Sequence, residues 1–343
     1  MLTMTKTFFF FPLLLLFSLP LFGQVILQDE PIPLTPAGFY IAGVEDERNN
    51  KTAIQGKDLQ GGGATSLYNY LKRNLPRQVT KRPVIIKIKE LHLTETNNKE
   101  GKTDGQVQLQ LSFGLKKDYG FEHLVDYRGG LKFKRNQGDK TSIERYIRPL
   151  ITASLSYFND WVKDNEPVNK KLATAVKFNF TDYKELPEGD TIYYARNRPL
   201  TFNDFQSRNK PRGNYGAVVF PSIGYVQEAK MVKGVILVDI AMKAFLPKSA
   251  AWVNEGNKND YTLNHEQRHF DIAKIIANQF KQKVLDAKLT PDTFEAFLSM
   301  QYLDSLRDHH TMQTSYDQET SHGMNRQAQD KWNAKIDNML QRN

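Results

Sequence analysis

The chain contains no cysteine. That absence excludes disulfides, thiolate metal sites and cysteine nucleophiles together. It also excludes a lipoprotein, which needs a cysteine after its export signal. Any metal must then be bound by His, Asp, Glu or backbone oxygen. A compact basic-aromatic patch is missing too, so nucleic acid is not an expected partner. The formal net charge of +9 is spread along the chain and reads as a solvated basic surface. Long apolar runs are absent beyond the first residues.

Those first residues are unlike the rest. MLTMTKTFFFFPLLLLFSLPLFGQ carries Lys6, then an apolar run from Phe8 to Phe22 broken by Pro12 and Pro20, then Gly23 and Gln24. This is the layout of a secretory signal peptide over residues 1–24, with cleavage near Gly23 or Gln24. The run is too short and too broken for a membrane span. The expectation is export to a periplasm or out of the cell, with no transmembrane span after signal removal.

The remaining length suits two domains of ordinary size. Residues 25–165 read as the first. After a proline-rich arm, GFYIAGVED (Gly38–Asp46) reads as a strand, and Leu67, Tyr70, Leu71 and Leu75 recur at helical spacing. In PVIIKIKELHLTET, Val84, Ile86 and Ile88 share one face. The alternation slips near Glu90, which predicts a bulge. QVQLQLSFGL (Gln106–Leu115) alternates cleanly and predicts an antiparallel hairpin with the strand before it. From Ser142 the period turns helical, with Ile147, Leu150, Ile151, Leu155, Phe158 and Val162 in one stripe. KDNEPVNKK (Lys163–Lys171) is charged and broken by proline, as linkers are. Residues 166–190 read as linker and first strand, and 191–343 as the second domain. There DTIYYAR, YGAVVF and GVILVDIAMKAF are strand-like. Helical stretches follow around His265, around PDTFEAFLSMQYLDSLRDHH and around HGMNRQAQDKWNAKIDNMLQ, with TMQTSYDQETSHG as a connection between the last two.

TLNHEQRHFDIAKIIANQF (Thr262–Phe280) carries the chemistry. On a helix His265 and His269 lie one turn apart and within about 40° of each other, so both imidazoles can reach one ion. Glu266 is about 100° round from His265, placed to act on a metal-activated water as general base. Phe270, Ala273, Ile276, Ala277, Phe280 and Val284 recur at three and four, which supports the helix, and Asp260 or Thr262 can cap it. Asp271 points off the metal face and reads as a brace. A catalytic zinc wants three protein ligands. The candidates downstream are His309, His310, Asp317, Glu319 and His322. His322, in a turn beside Gly323, is the expected third ligand. Tyr316 is the expected oxyanion donor. His92 and His123 read as structural.

Three blocks resemble the bacterial family of predicted secreted zinc-dependent proteases, domain-of-unknown-function family 922. They are RPLTFNDFQSRNKP (Arg198–Pro211), LNHEQRHFDI (Leu263–Ile272) and YDQETSHG (Tyr316–Gly323) with Gln329 and Trp332. Phe202 stands where that family usually has tryptophan. The resemblance covers residues 190–343 and leaves 25–165 outside it. It implies a metallopeptidase-like domain with His265 and His269 as ligands and Glu266 as base, and favours Tyr316 and His322 as site residues. The expected class is α+β: an N-terminal antiparallel sheet with helix, then a zincin-like α+β domain built on the HExxH helix. The expected function is an exported Zn2+-dependent hydrolase, a metallopeptidase acting on peptide or protein substrates, cell-wall peptides among them. The alternative is a non-catalytic envelope protein with a metal-stabilised second domain.

Overall fold

The computed structural model describes residues 24–76, 82–139, 142–213 and 215–342. The signal segment expected over residues 1–24 lies outside them except for Gln24. The fold is α+β, in two compact units that divide between Asp164 and Asn165.

In the first unit, β1 (Phe39–Asp46) is followed by α1 (Gly63–Asn74), β2 (Arg82–Asn97), β3 (Lys102–Lys117), β4 (Gly120–Asn136) and α2 (Glu144–Asn165). The sheet order is β1-β2-β3-β4. β1 runs parallel to β2, and the other pairs are antiparallel. The sheet is therefore mixed, which corrects the expectation of an antiparallel one. The cause is α1, which supplies the crossover that a parallel pair needs. The register between β2 and β3 shifts between Ile88 and Glu90, where the broken alternation predicts a bulge. β4 gives little signal in the sequence, because its residues alternate between half-buried and exposed. Leu67, Tyr70 and Leu71 of α1 and Ile147, Leu155 and Phe158 of α2 join Ile86, Val107 and Phe113 of the sheet in one core. Phe158 stacks on Phe113 with ring centroids 4.4 Å apart. Val25, Leu27 and Ile32 of the N-terminal arm are buried in the same core.

The second unit is organised by one long strand. β5 (Ala175–Asp182) runs parallel to β9 (Val235–Pro247), and β6 (Thr191–Tyr193) and β8 (Ser222–Val232) run antiparallel to it. Phe245 pairs with both Tyr193 and Ser222, and Ile240 with both Phe180 and Gln227. So β5 and β6 share one edge of β9, and β8 takes the other. β8 is largely exposed and polar through Gln227–Lys230, which hides it in the sequence. Lys233 and Gly234 join it to β9 with φ of 50° and 78°, both left-handed as tight hairpin turns require. β7 (Ala217–Val218) and β10 (Trp252–Val253) form a separate short pair.

Three helices complete this unit: α3 (Asp260–Asp286), α4 (Phe294–Thr320) and α5 (Arg326–Arg342). The predicted stripe of α3 is buried along its length. Ala273, Ile276, Phe280 and Val284 share a core with Ile236, Val238, Ile240 and Met242 of β9. Each such buried aromatic or branched side chain contributes about 2 kcal/mol of transfer free energy. That packing fixes α3 in place. α4 corrects the expected connection over Thr311–Gly323. No glycine or proline interrupts that tract before Gly323, so the helix runs on to Thr320. It stops at Ser321, His322 and Gly323, whose φ values of 50°, 51° and 80° are all left-handed. No described helix is long and apolar enough to cross a membrane.

Candidate metal centre

α3 begins at Asn259, whose side chain accepts the Thr262 N–H at 3.0 Å. That residue, rather than Asp260 or Thr262, is the cap. The helical period then brings His265 and His269 together, with ring centroids 5.0 Å apart. Both are buried, and so is Glu266.

The two Nε2 atoms converge on one oxygen of α4. Asp317 Oδ1 lies 3.0 Å from His269 Nε2 and 3.4 Å from His265 Nε2. His322 Nδ1 lies 3.4 Å from the same oxygen. One donor atom from each of His265, His269 and Asp317 lies within 4.8 Å of the other two, so the three could hold a metal ion. The chemistry fits. Oδ1 is buried and makes no aligned hydrogen bond, although imidazole nitrogens surround it. Lone pairs aimed at a common point, rather than N–H bonds aimed at an acceptor, are what a cation requires of its ligands. Burial by itself would raise the Asp317 carboxyl, but His265 and His269 outweigh it and hold it well below the usual range. At His269 burial disfavours the charged imidazole, and Asp317 and Glu266, with Gln313, together more than offset that.

Asp317 thus stands where His322 was expected. It is on the last turn of α4, whereas His322 lies past the helix end. The His322 side chain is 51 % exposed, and its ring packs edge-on against Tyr215 at 5.4 Å. Of the other candidates, Glu319 accepts from the Trp332 indole at 2.8 Å and His310 is exposed. Burial pushes His309 down to about 4, and it contacts Gln313 instead of the centre.

Tyr316 also differs from expectation. Its hydroxyl lies 2.9 Å from His265 Nδ1 and donates to the His265 carbonyl at 3.1 Å. That is the side of the ring opposite Nε2, and the residue is fully buried. Tyr316 supports His265 and is not placed to donate to a substrate oxyanion. Burial pushes its phenol well up, so the hydroxyl stays protonated.

Glu266 is of another kind. Burial pushes its carboxyl up, against the pull of His269 and His265. The nearby Val219 N–H also pulls it down, while Oε2 is buried without a hydrogen-bond partner. Gln267, between the histidines, and Asp271, two residues past them, serve as anchors. Gln267 accepts the Leu200 N–H at 2.8 Å, and Asp271 accepts from Tyr194, Gln267 and Arg268 at 3.0, 2.8 and 3.0 Å. Asp271 is therefore the brace its position predicts. Leu200 belongs to the Arg198–Pro211 block and packs in a core with Phe270 of α3. Inside that block Arg198 grips both oxygens of Asp204 at 2.6 and 2.9 Å.

Gln313 escapes a reading by residue type, since glutamine is a poor metal ligand. The available signal was spacing: His309, Gln313, Tyr316, Asp317 and Thr320 recur at three and four on one helix face.

No family model matches the chain, and no curated protein matches it in sequence. A minor lipoprotein from Acinetobacter baumannii is similar at 14% identity, over 36% of this chain and 92% of its own, with a TM-score of 0.21. An uncharacterized protein is similar at 8% identity, over 39% and 95%, with a TM-score of 0.20. Likeness at that level supports no statement about fold or activity.

Proposed function

We propose that the second unit is a zinc-dependent hydrolase, and specifically a metallopeptidase of an exported protein. The observation that supports this most is Glu266: a buried carboxylate, next in sequence to one imidazole of a His-His-Asp group, with an oxygen that no protein group engages. A carboxylate kept only for structure would be hydrogen-bonded at both oxygens.

His265, His269 and Asp317 would hold the zinc. When bound, zinc acidifies water and polarises a carbonyl. Glu266 takes a proton from the attacking water at Oε2 and delivers it to the leaving nitrogen as the C–N bond breaks. Its raised proton affinity suits it to accept the proton and then release it. His322, on the exposed side, is the group best placed to meet the substrate.

The test is a Glu266→Gln chain assayed against peptide libraries. Elemental analysis should find one zinc per chain in both proteins. Turnover should fall by about 10²- to 10⁴-fold in the variant. Equal turnover in the two would end the general-base reading. Metal without turnover in the wild type would favour a binding protein with a metal-stabilised unit.

A further inference from the structure

Both metal-facing imidazoles are held from behind by a glutamine. His269 Nδ1 lies 2.5 Å from Gln313 Oε1. His265 Nδ1 lies 2.9 Å from Gln329 Oε1. An amide oxygen can only accept, so each contact requires a proton on Nδ1. In the neutral ring that leaves each Nε2 with a bare lone pair facing Asp317.

The orientation of each amide decides the tautomer, and the neighbours fix both. The Gln313 nitrogen donates to the His269 carbonyl at 2.9 Å and meets His309 Nε2 at 3.0 Å. A backbone carbonyl has no proton to give, so the NH₂ group must be on that side. The Gln329 nitrogen donates to Asn333 Oδ1 at 3.0 Å. Asn333 is itself oriented by Arg268, whose Nε donates to the same oxygen at 3.1 Å. Arg268 is held in turn by Asp337 and Asp271. The Tyr316 oxygen receives the Gln329 NH₂ at 2.7 Å, which matches this assignment; its proton has the His265 carbonyl and Gln329 Oε1 as acceptors, each at 3.1 Å, so that its 2.9 Å approach to Nδ1 is made as an acceptor. The opposite tautomer of His265 would set a ring lone pair against an amide lone pair.

We propose that Gln313 and Gln329 are positioning residues that lock His269 and His265 in the Nδ1–H tautomer, presenting both Nε2 lone pairs to one cation beside Asp317. This rests on the metal reading above and adds to it. A lone pair pointed at a carboxylate oxygen is repulsive unless a cation lies between them. The glutamines therefore give up stability in the metal-free chain to prepare the ligand set.

The test uses the full chain and zinc ion alone, with variants at Gln313, which is only half-buried. Imidazole 15N–1H spectra of the metal-free protein, taken where the rings are neutral, read the tautomer. Competition with a chromophoric chelator reads zinc affinity. Both rings should show Nδ1–H in the wild type. Gln313→Met should lose that preference at His269 alone and weaken zinc by about 10- to 100-fold. Gln313→Glu keeps the acceptor and loses the NH₂ contacts, so it should hold zinc within about threefold of wild type or more tightly. Nε2–H rings in the wild type, or equal weakening by Met and Glu, would overturn the proposal. A wild type that shows Nδ1–H rings but binds no zinc would uphold the tautomer lock and end the hydrolase reading.

Discussion

Asp317 and His269 meet at 3.0 Å between the last turn of α4 and the third turn of α3. The contact joins two helices through side chains that are 30 % and 9 % exposed. On the metal reading proposed above, it favours Asp317 over His322 as the third ligand. Asp317→Ala should weaken zinc by more than the roughly 100-fold typical of outer-shell losses. His322→Ala should weaken it by less than about tenfold. Chelator competition on both variants decides, and the reverse order would return His322 to the ligand set.

Gly323 shapes the turn that closes over His265. Its φ is +80°, and a Cβ there would lie 3.3 Å from the His265 ring. Gly323→Ala should cost about 1–2 kcal/mol from the left-handed backbone and displace His265, weakening zinc as well. Gly256 has open space at its Cβ position and no left-handed φ, so Gly256→Ala is the control. Thermal melts and zinc titrations of the pair would read this. Matching behaviour in the two variants would refute it.

Asp204 carries a pH dependence of known sign. Burial by itself raises its carboxyl, but Arg198 and the Thr201 N–H outweigh that and hold it below its ordinary value. A depressed carboxyl stabilises the fold above its unfolded pKa and loses that contribution as pH falls through the folded one. Asp204→Asn should cost about 2 kcal/mol at neutral pH. The cost should shrink progressively below a pH of about 4. A melting-temperature gap between wild type and variant that stays constant with pH would contradict the assignment.

Phe280 links α3 to its sheet. It is fully buried and contacts Phe180, Tyr225 and Tyr302. Phe280→Ala should cost about 3–5 kcal/mol, visible as a lower urea midpoint. A loss below about 1 kcal/mol would mean that the site collapses around the gap.

The legible parts of this protein are those where neighbours in sequence are neighbours in space. α1, α2 and α3 show in the spacing of Leu67 and Leu71, of Ile147 and Ile151, and of Phe270 and Ala277, because one helix face is one local period. The bulge near Glu90 shows because a slip of one residue flips the side chains to the other face. β4 and β8 do not show, because edge strands carry half-exposed polar residues whose partners are distant in the chain. The direction of β1 against β2 depends on where α1 returns the chain, which no pattern within either strand contains.

The amino-acid sequence determined by itself that His265 and His269 share a face with Glu266 beside them, since a four-residue spacing on a helix leaves no other arrangement. Only the tertiary structure decided what meets them. Whether Asp317 or His322 turns inward depends on how far α4 runs before its left-handed stop and how α4 packs on α3. Whether Tyr316 faces the substrate or the back of His265 depends on the same packing. Side-chain chemistry nominated all three residues, and the long-range burial of α4 and α5 against α3 set their places.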